Sequence, residues 1–429
     1  MKRFLCFATI GLVALATRAT EQSNDSITCH ITGTVIDRPE SKSVIISEAN
    51  TDSRIHKYAT AEIIDGTFSY TIKDSVPRAY QIRFDDELEN GSWLNRYFYS
   101  GNGDVEITCY NNDDEFDSKK IISNISENIL ENEYTERIKA LFQAKQNYLS
   151  QKFDSLYECN AALSPELQNL HETIEKMEPS AERDSITGVL REFYRGPREI
   201  IYSEEYMDYE NQLIDIYRQR DAMRRQFIAD NPSLAGLFEI KNTLFYSKYY
   251  TWADIPDYIR IFETFYKNSM PDHPYTEEIA GIIESMSVKA GNQYPDYKIT
   301  REDGSTERIA SLIDGNVAVV DLWASWCGPC RRHSKELIPI YEKYKDKGFK
   351  VIAIAREEDN CDAMNHCIKN DGYPWESFVD LGDRDNVWRI NNAGNSGGKI
   401  ILVGADGVIV GTDISAKEIE EYLAKTLGE

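Results

Sequence analysis

Two cysteines separated by two residues, Cys327 and Cys330, are the residues of this sequence best suited to chemistry. They follow the apolar run Val317–Trp323, which has the composition of a buried central strand, and the Gly-Pro between them predicts a turn that opens a helix. Unsatisfied N–H groups and the helix dipole favour an anion at a helix N-terminus, so a thiol there ionises more easily. We therefore predict that Cys327 is a nucleophile and that Cys330 resolves the mixed disulfide it forms.

Two neighbouring residues fit the same chemistry. Asp321 lies within the apolar run, where burial would raise the pKa of its carboxyl and let it take the proton from Cys330. Pro329 suits a first helical turn, where its missing N–H costs nothing. A structural disulfide and half of a zinc site are the alternatives to a redox-active cysteine pair, and both stay open at this point. A zinc ribbon would need a second ligand pair of similar spacing, which the sequence lacks.

The segment VDLWASWCGPC resembles the active-site strand and turn of thioredoxins, including their buried aspartate, at Asp321, and the tryptophan before the first cysteine, at Trp326. From about residue 291 to 429 the layout is similar to the extracytoplasmic TlpA/ResA-like thiol-disulfide oxidoreductases. The resemblance implies a protein-disulfide oxidoreductase in which Trp326, Pro329 and Gly398 bind the substrate. In this family the Gly-Pro spacer accompanies a reducing potential, which favours a reductase over an oxidase.

The sequence departs from the family pattern at three positions. Gly398 stands where the family has a cis-proline that faces the cysteine pair. A non-proline cis bond costs about 2.5 to 4 kcal/mol, so we expect a trans bond and a more mobile groove. On the active-site helix, Lys335 replaces a proline that usually kinks it, with Pro339 as a substitute kink. His333 replaces an acidic residue, and it either modulates the thiolate near neutral pH or is an exposed helix residue.

Composition and the first residues limit the class of protein. The chain has 429 residues and a formal charge of −24, which argues against a nucleic-acid-binding surface. Two basic residues before the apolar run 4–16 have the form of a secretory signal, so we predict a signal peptide over residues 1–19 and export to the periplasm or cell envelope. The run is too short to span a bilayer, and no Leu-x-x-Cys box precedes Cys6 or Cys29. We expect neither a transmembrane helix nor a lipid anchor.

The region 26–114 alternates apolar and polar residues, which predicts an antiparallel β-sandwich with a hairpin turn at Asp65-Gly66. In pattern it resembles the β-rich domain of unknown function that often precedes thioredoxin-like domains. Cys29 and Cys109 fall on the apolar faces of its first and last strands. We expect either a structural disulfide between them or two buried free thiols.

The rest of the chain divides into a helical region, 117–290, and an α/β domain, 291–429. Apolar residues at helical spacing across 138–156 predict one long amphipathic helix, and Ser164 and Asn231, each followed by proline, are typical of helix starts. In the last region strands alternate with helices, which indicates a central sheet covered on both faces. The predicted fold is therefore multidomain, with a β-sandwich, a helical middle and a C-terminal thioredoxin-like domain.

The cysteines outside the predicted signal are odd in number, so at least one thiol should be free or paired between chains. Cys361, His366 and Cys367 fall on one predicted helix, where they are either a metal site or incidental buried thiols. The two cysteines are not spaced as neighbours on one helix face. We predict no metal and no cofactor.

The function that these features predict is an exported reductase of protein disulfides in the cell envelope, including the haem-site thiols of apo-cytochromes. It would act on protein thiols or disulfides and draw electrons from a membrane partner. The alternative is a catalytically weak or inactive binding or scaffold protein that retains a thioredoxin fold, as Gly398 and Lys335 allow. A peroxidase of the peroxiredoxin class is set aside, because Val320 and Ala324 occupy the positions before Cys327 that such enzymes fill with Pro and Thr or Ser.

Overall fold

A computed structural model describes residues 27–52, 54–91, 94–112, 114, 116–395 and 397–428. The predicted signal peptide, residues 1–19, lies outside these residues. The described chain has a β-rich region, a helical region and an α/β domain in that order, which confirms the predicted fold class. Among the described helices, none combines the length and the apolar composition needed to cross a bilayer.

The N-terminal region is a β-sandwich with one short helix. Its elements are β1 (Ile27–Ile36), β2 (Ser43–Glu48), β3 (Ala59–Glu62), β4 (Thr67–Asp74), β5 (Ala79–Phe84), α1 (Asp85–Glu89), β6 (Arg96–Tyr99), β7 (Gly103–Tyr110) and β8 (Lys119–Ser123). One sheet has the strand order β4-β1-β7-β8, and the other has the order β3-β2-β5-β6. Alternate residues of both sheets enter one apolar core, because successive side chains of a strand point to opposite faces. The first sheet includes β8, within the region that the sequence assigned to helices.

One strand pair corrects the prediction of a purely antiparallel sandwich. Strands β1 and β7 are parallel neighbours, with Cys29 beside Gly103 and Val35 beside Cys109. The two cysteines therefore lie six positions apart along paired strands, or about 20 Å at ~3.3 Å per residue. A disulfide needs Cα atoms roughly 4.4 to 6.8 Å apart. Cys29 and Cys109 are buried free thiols, so of the two expected alternatives the free thiols are confirmed and the disulfide is wrong.

The turn at Asp65-Gly66 is present, but it joins two sheets. Both residues have positive φ, 51° and 71°, as a two-residue type I′ turn requires. Strands β3 and β4 then enter different sheets, and an isolated bridge between Ile64 and Thr67 closes the turn. Local sequence therefore predicts this turn, while tertiary packing decides which sheet each strand joins.

The middle region is helical. Its elements are α2 (Ser126–Glu158), α3 (Pro165–Glu175), α4 (Ala181–Arg195), α5 (Arg198–Ile201), α6 (Glu204–Asp230), α7 (Leu234–Phe245), α8 (Ile255–Ile261), a π-helical turn at Phe262–Tyr266, and α9 (Pro274–Ser285). The long helix predicted across 138–156 is part of α2, although Leu141, predicted on its apolar face, is exposed. Helix α3 begins directly after Ser164, as predicted. Helix α7 begins later than Asn231 suggested, because the Ser233 side chain caps it.

The C-terminal region is an α/β domain. Its elements are β9 (Lys298–Thr300), β10 (Thr306–Arg308), α10 (Ile309–Ile313), β11 (Val317–Trp323), α11 (Gly328–Tyr344), β12 (Phe349–Glu357), α12 (Asp362–Asp371), β13 (Ser377–Leu381), α13 (Val387–Ile390), β14 (Lys399–Val403), β15 (Ile409–Thr412) and α14 (Ala416–Leu427). The sheet order β13-β12-β11-β14-β15 places β11 at the centre, parallel to β12 and antiparallel to β14. Alternate residues of β11 enter two separate apolar cores, one on each face of the sheet. The predicted two-sided burial of the sheet is confirmed.

Candidate redox site

The cysteine pair lies between the central strand and the helix that follows it. Strand β11 ends at Trp323, and Cys327 is the N-cap of α11. Cys327 and Cys330 form a disulfide with their Cα atoms 5.3 Å apart. The Cys330 amide donates to Sγ of Cys327 across 3.3 Å. A main-chain donor thus points at the Cys327 sulfur, and together with the helix dipole it would stabilise a thiolate there after reduction.

The two cysteines differ in exposure. Cys327 is only 6 % exposed, whereas Cys330 is half-buried. The half-buried Trp326 stands before Cys327, and its ring centroid lies 5.9 Å from that of Trp388. In the disulfide form Cys327, the predicted nucleophile, is therefore less exposed to solvent than Cys330.

Asp321 is buried beneath the helix, on the same sheet face as α11. Burial raises the pKa of its carboxyl to about 7, an effect that a hydrogen bond from Ser334 partly opposes. The Ser334 hydroxyl donates to Oδ2 of Asp321 across 2.6 Å and also lies 3.1 Å from the Cys330 carbonyl. Oδ1 of Asp321 has no hydrogen-bond partner among the described residues. The carboxyl can therefore hold or release a proton near neutral pH.

Gly398 lies against the second cysteine. Its amide donates to Sγ of Cys330 across 3.2 Å, and its peptide bond is trans, as are the other described ones. A Cβ at this position would stand 1.8 Å from the Leu322 carbonyl oxygen and 3.0 Å from Sγ of Cys330. Only glycine allows the main chain to approach β11 and the disulfide this closely.

The structure does not bring every predicted site residue to the sulfurs. Pro329 is exposed on the first turn of α11. Nε2 of His333 lies 3.2 Å from the Ile414 carbonyl, and within the described chain no hydrogen bond joins His333 to either cysteine. Lys335 pairs with Asp371 across 3.4 Å, and α11 continues through Pro339.

Sequence reasoning missed Glu357, which holds the turn before Trp326. Its two carboxyl oxygens accept the amide and the hydroxyl of Ser325, each across 2.7 Å. Burial raises the pKa of the Glu357 carboxyl, against the opposing effect of these hydrogen bonds. The available signal was an acidic residue at the end of the apolar run that forms β12.

The predicted cluster on α12 does not converge on a metal. Cys361 and Cys367 are buried, and Sγ of Cys367 lies 3.8 Å from the Ser325 carbonyl. His366 instead contacts the Asn370 amide across 2.7 Å. In the part of the chain that the structure describes, no three His, Cys, Asp or Glu side chains are grouped to hold a metal ion.

Two protein-family models match the chain. Residues 289–423 match the family described as Redoxin. The C-terminal part of this chain, named the Redoxin domain for this match, is therefore similar to that family. Residues 29–134 match a domain of unknown function, DUF4369, which agrees with the resemblance inferred from the alternating pattern. The Redoxin domain therefore contains the whole cysteine site, and the DUF4369 match covers the β-sandwich.

Curated relatives match the Redoxin domain. Thiol-disulfide oxidoreductase ResA from Bacillus thuringiensis (strain Al Hakam) is 24 % identical over 146 residues, which are 33 % of this chain and 81 % of that protein. Probable nucleoredoxin 1 from Arabidopsis thaliana is 28 % identical over 92 residues, covering 21 % of this chain and 15 % of that protein. These matches confirm the predicted enzyme class of the Redoxin domain, thiol-disulfide oxidoreductase.

Solved structures align with the same domain. The thioredoxin domain of a thiol-disulfide oxidoreductase from Bacteroides vulgatus aligns with a TM-score of 0.29 at 22 % identity, covering 32 % of this chain and 97 % of that one. A putative thiol:disulfide interchange protein DsbE from Chlorobium tepidum aligns with a TM-score of 0.28 at 25 % identity, covering 32 % of this chain and 98 % of that one.

Proposed function

We propose that this protein is an exported reductase of protein disulfides in the cell envelope and that it works through the Cys327–Cys330 pair. The observation that carries the proposal is the placement of Cys327 at the head of α11, with its sulfur accepting the Cys330 amide. This geometry supports a reactive thiolate at Cys327 and a resolving thiol one helical turn away.

The reaction begins with the reduced pair. The Cys327 thiolate attacks one sulfur of a substrate disulfide, forming a mixed disulfide and releasing the other substrate sulfur as a thiolate. Asp321 accepts the proton of Cys330, whose sulfur then attacks Sγ of Cys327 and displaces the second substrate thiolate. Two electrons pass to the substrate, whose two thiolates take protons from water, and the protein is left with the Cys327–Cys330 disulfide and the Cys330 proton on Asp321. A pKa near 7 suits Asp321 to this transfer.

The docking surface in this proposal consists of Trp326, Pro329 and Gly398, which border the disulfide on its helix and loop sides. Gly398 presents its amide to the Cys330 sulfur and would lie beside an extended substrate segment. We retain His333 as the proposed modulator of the thiolate, and its Nε2 lies 3.2 Å from the Ile414 carbonyl.

Location and redox partners complete the proposal. Export rests on the signal predicted over residues 1–19, and the proposed domains are 26–114, 117–290 and 291–429, with β8 joining the first of them through its pairing with β7. The match to a protein named thiol-disulfide oxidoreductase ResA supports the thiol-disulfide chemistry. The oxidised protein needs two electrons per cycle, and a membrane thiol donor would supply them. Haem-site thiols of apo-cytochromes are included among the proposed substrates.

One observation favours a second candidate, a binding or scaffold protein with a retired redox site. Cys327 is only 6 % exposed, so little of this residue is open to an incoming disulfide in the oxidised protein. Insulin reduction by wild type, Cys327→Ser and Cys330→Ser decides between the candidates. The reductase predicts that Cys327→Ser is inactive and that Cys330→Ser accumulates mixed disulfides. The free, exposed Cys159 provides the control, because Cys159→Ser should retain full activity. Equal rates for wild type and Cys327→Ser would favour the scaffold.

A further inference from the structure

A segment of the β-sandwich reaches the redox site. It follows β2, and its Arg54 guanidinium lies over the Trp326 ring, with the guanidinium carbon 3.8 Å from the ring centroid. Nη2 of Arg54 also donates to the carbonyl oxygen of Asn395, three residues before Gly398. One side chain of the β-sandwich therefore contacts both sides of the proposed docking surface, a geometry that favours cation–π attraction to the tryptophan.

Asn395 is held by three hydrogen bonds, two of them from the β-sandwich. Its carbonyl accepts from Arg54, and its Nδ2 donates to the Asn50 carbonyl across 3.2 Å. The third bond joins its Oδ1 to Nη1 of Arg356 across 3.2 Å. Both the main chain and the side chain of Asn395 are thus fixed in place just before the Gly397–Gly398 pair.

A buried ionic cluster secures this contact between domains. Arg356, at the end of β12, pairs with Asp52 of the β-sandwich across 3.2 Å, and both side chains are about 5 % exposed or less. Arg356 also pairs with Asp383, which in turn contacts His56 across 3.0 Å. Burial raises the pKa of the Asp383 carboxyl, but hydrogen bonds from His56 and Arg356 outweigh it and hold that pKa at about 2. Paired and buried charges of this kind define one docked arrangement, because an unpaired buried charge is costly.

The Gly397–Gly398 pair explains why the contacts between the β-sandwich and Asn395 matter for the redox site. Gly397 and Gly398 restrict their own main chain little, so a segment containing them needs outside contacts to remain in one conformation. The amide of Gly398 meets the Cys330 sulfur only while this segment stays in place. On the C-terminal side of the pair, Lys399 is held in β14 by its pairing with Leu322 of β11. On the N-terminal side, two of the three hydrogen bonds that hold Asn395 are made with the β-sandwich.

We propose that the β-sandwich is a working part of the redox site, in which Asn395 and Arg54 are positioning residues that hold Gly398 against Cys330 for exchange with protein disulfides. The catalytic part of this inference rests on the proposed function, whereas the positioning of Gly398 does not. Contacts from the β-sandwich then hold a main chain that two consecutive glycines leave flexible. The β-sandwich also forms one wall of the groove that a substrate enters.

The test uses the full chain, with Asn395→Ala and Arg54→Ala as the two variants. Hydrogen exchange of the Gly398 amide in the oxidised protein reports the positioning directly, without any activity. We expect faster exchange in both variants and a fall of about tenfold in kcat/KM for insulin. Asn395→Ala removes the two side-chain hydrogen bonds of Asn395, Arg54→Ala removes the bond to its carbonyl, and one net hydrogen bond corresponds to a factor of up to about ten. The fall should lie mainly in KM, and reduction of the disulfide by dithiothreitol should stay within twofold of wild type.

Two matched variants serve as controls. Asn365→Ala removes an exposed amide that bonds Glu302, and Arg308→Ala removes an exposed ion pair with Asp296. Neither should change Gly398 exchange or insulin kinetics. The Arg54 side chain is 43 % exposed, so Arg54→Ala tests the same contact if Asn395→Ala fails to fold.

Three outcomes decide the inference. Unchanged Gly398 exchange in a folded variant overturns it. Faster exchange with unchanged insulin kinetics overturns the catalytic part. If the wild type does not reduce insulin at all, the proposed function fails, and the exchange data still confirm or overturn the positioning by the β-sandwich.

Discussion

The main-chain amide of Gly398 donates a hydrogen bond to the sulfur of Cys330 across 3.2 Å. Proline, which the thioredoxin-like family has at this position, has no N–H and cannot make that bond. A side chain of any kind would also meet the Leu322 carbonyl oxygen, 1.8 Å from the Cβ position. Only glycine therefore fits at position 398 in this trans conformation. Its amide also makes a hydrogen bond to Cys330 that the family's proline cannot make.

The first prediction concerns Gly398→Ala. The added Cβ forces the main chain away from Leu322, so we expect a loss of about 1 to 3 kcal/mol in the free energy of unfolding, as overpacked sites show. Gly398→Pro should lose at least as much stability, together with the hydrogen bond to Cys330. Urea denaturation of the oxidised protein measures both changes. Gly397→Ala is the matched control, because its chain neighbours aside, no atom of the described residues lies within 4 Å of its Cβ position, and equal losses at 397 and 398 would contradict a steric cause.

The second prediction concerns Asp321→Asn and pH. The Asp321 carboxyl has a pKa of about 7 in the fold and about 3.9 in an unfolded chain. As pH rises from 4 to 7, the unfolded chain releases this proton while the folded chain keeps it, so wild type loses stability in that window. Three pKa units correspond to roughly 4 kcal/mol. The amide of the Asp321→Asn variant does not titrate, so the stability of the variant relative to wild type should rise by roughly that amount between pH 4 and pH 8.

Urea denaturation of the oxidised protein at a series of pH values measures this difference. Asp303→Asn changes an exposed aspartate and should show no comparable rise. A difference between Asp321→Asn and wild type that does not change with pH would show that the carboxyl does not titrate in this window. Asp321→Asn should also differ from wild type in stability by an amount that does not depend on pH. This part arises because a polar amide atom of the variant occupies the buried position of Oδ1, which has no hydrogen-bond partner among the described residues.

The redox turn was predictable from local sequence, whereas the contacts around it were not. The apolar run before Cys327 and the Gly-Pro after it specify strand, turn and helix over a few residues, so local rules suffice. The contact of Arg54 with Trp326 joins segments far apart in the chain, and no periodicity or motif marks it. The same holds for Glu357, whose role depends on the parallel pairing of β11 with β12.

In the β-sandwich, too, local sequence predicts a turn, whereas the neighbour of each strand depends on tertiary packing. The turn at Asp65-Gly66 follows from residues that accept positive φ, and the structure contains it. The parallel pairing of β1 with β7 could not be predicted, because alternation gives the buried face of a strand but not its neighbour. Strand β8 was missed because its sequence, KKIIS, places two apolar residues side by side and does not alternate between apolar and polar residues.

The third prediction concerns Glu357→Gln. The variant keeps the size of the side chain but replaces one carboxyl oxygen with an NH2 group, so the Ser325 hydroxyl must accept instead of donate and both bonds to Ser325 lose their charge assistance. We expect a loss of about 1 to 3 kcal/mol in unfolding free energy and slower alkylation of Cys327 in the reduced protein. Urea denaturation and iodoacetamide labelling near neutral pH measure the two effects. Ser325→Ala, which removes the hydroxyl alone, should have the smaller effect on labelling, and equal labelling rates in all three proteins would contradict a role for Glu357 in the turn.

The fourth prediction concerns Cys29 and Cys109. The parallel register of β1 and β7 separates them by about 20 Å, so oxidation cannot join them without separating the two strands. Alkylation in denaturant without reductant should therefore label Cys29 and Cys109 fully, while Cys327 and Cys330 are labelled only after reduction. Mass spectrometry of the digested protein provides the measurement. A crosslinked peptide pair containing Cys29 and Cys109 would show that the register is wrong, and with it the position of β7 beside β1.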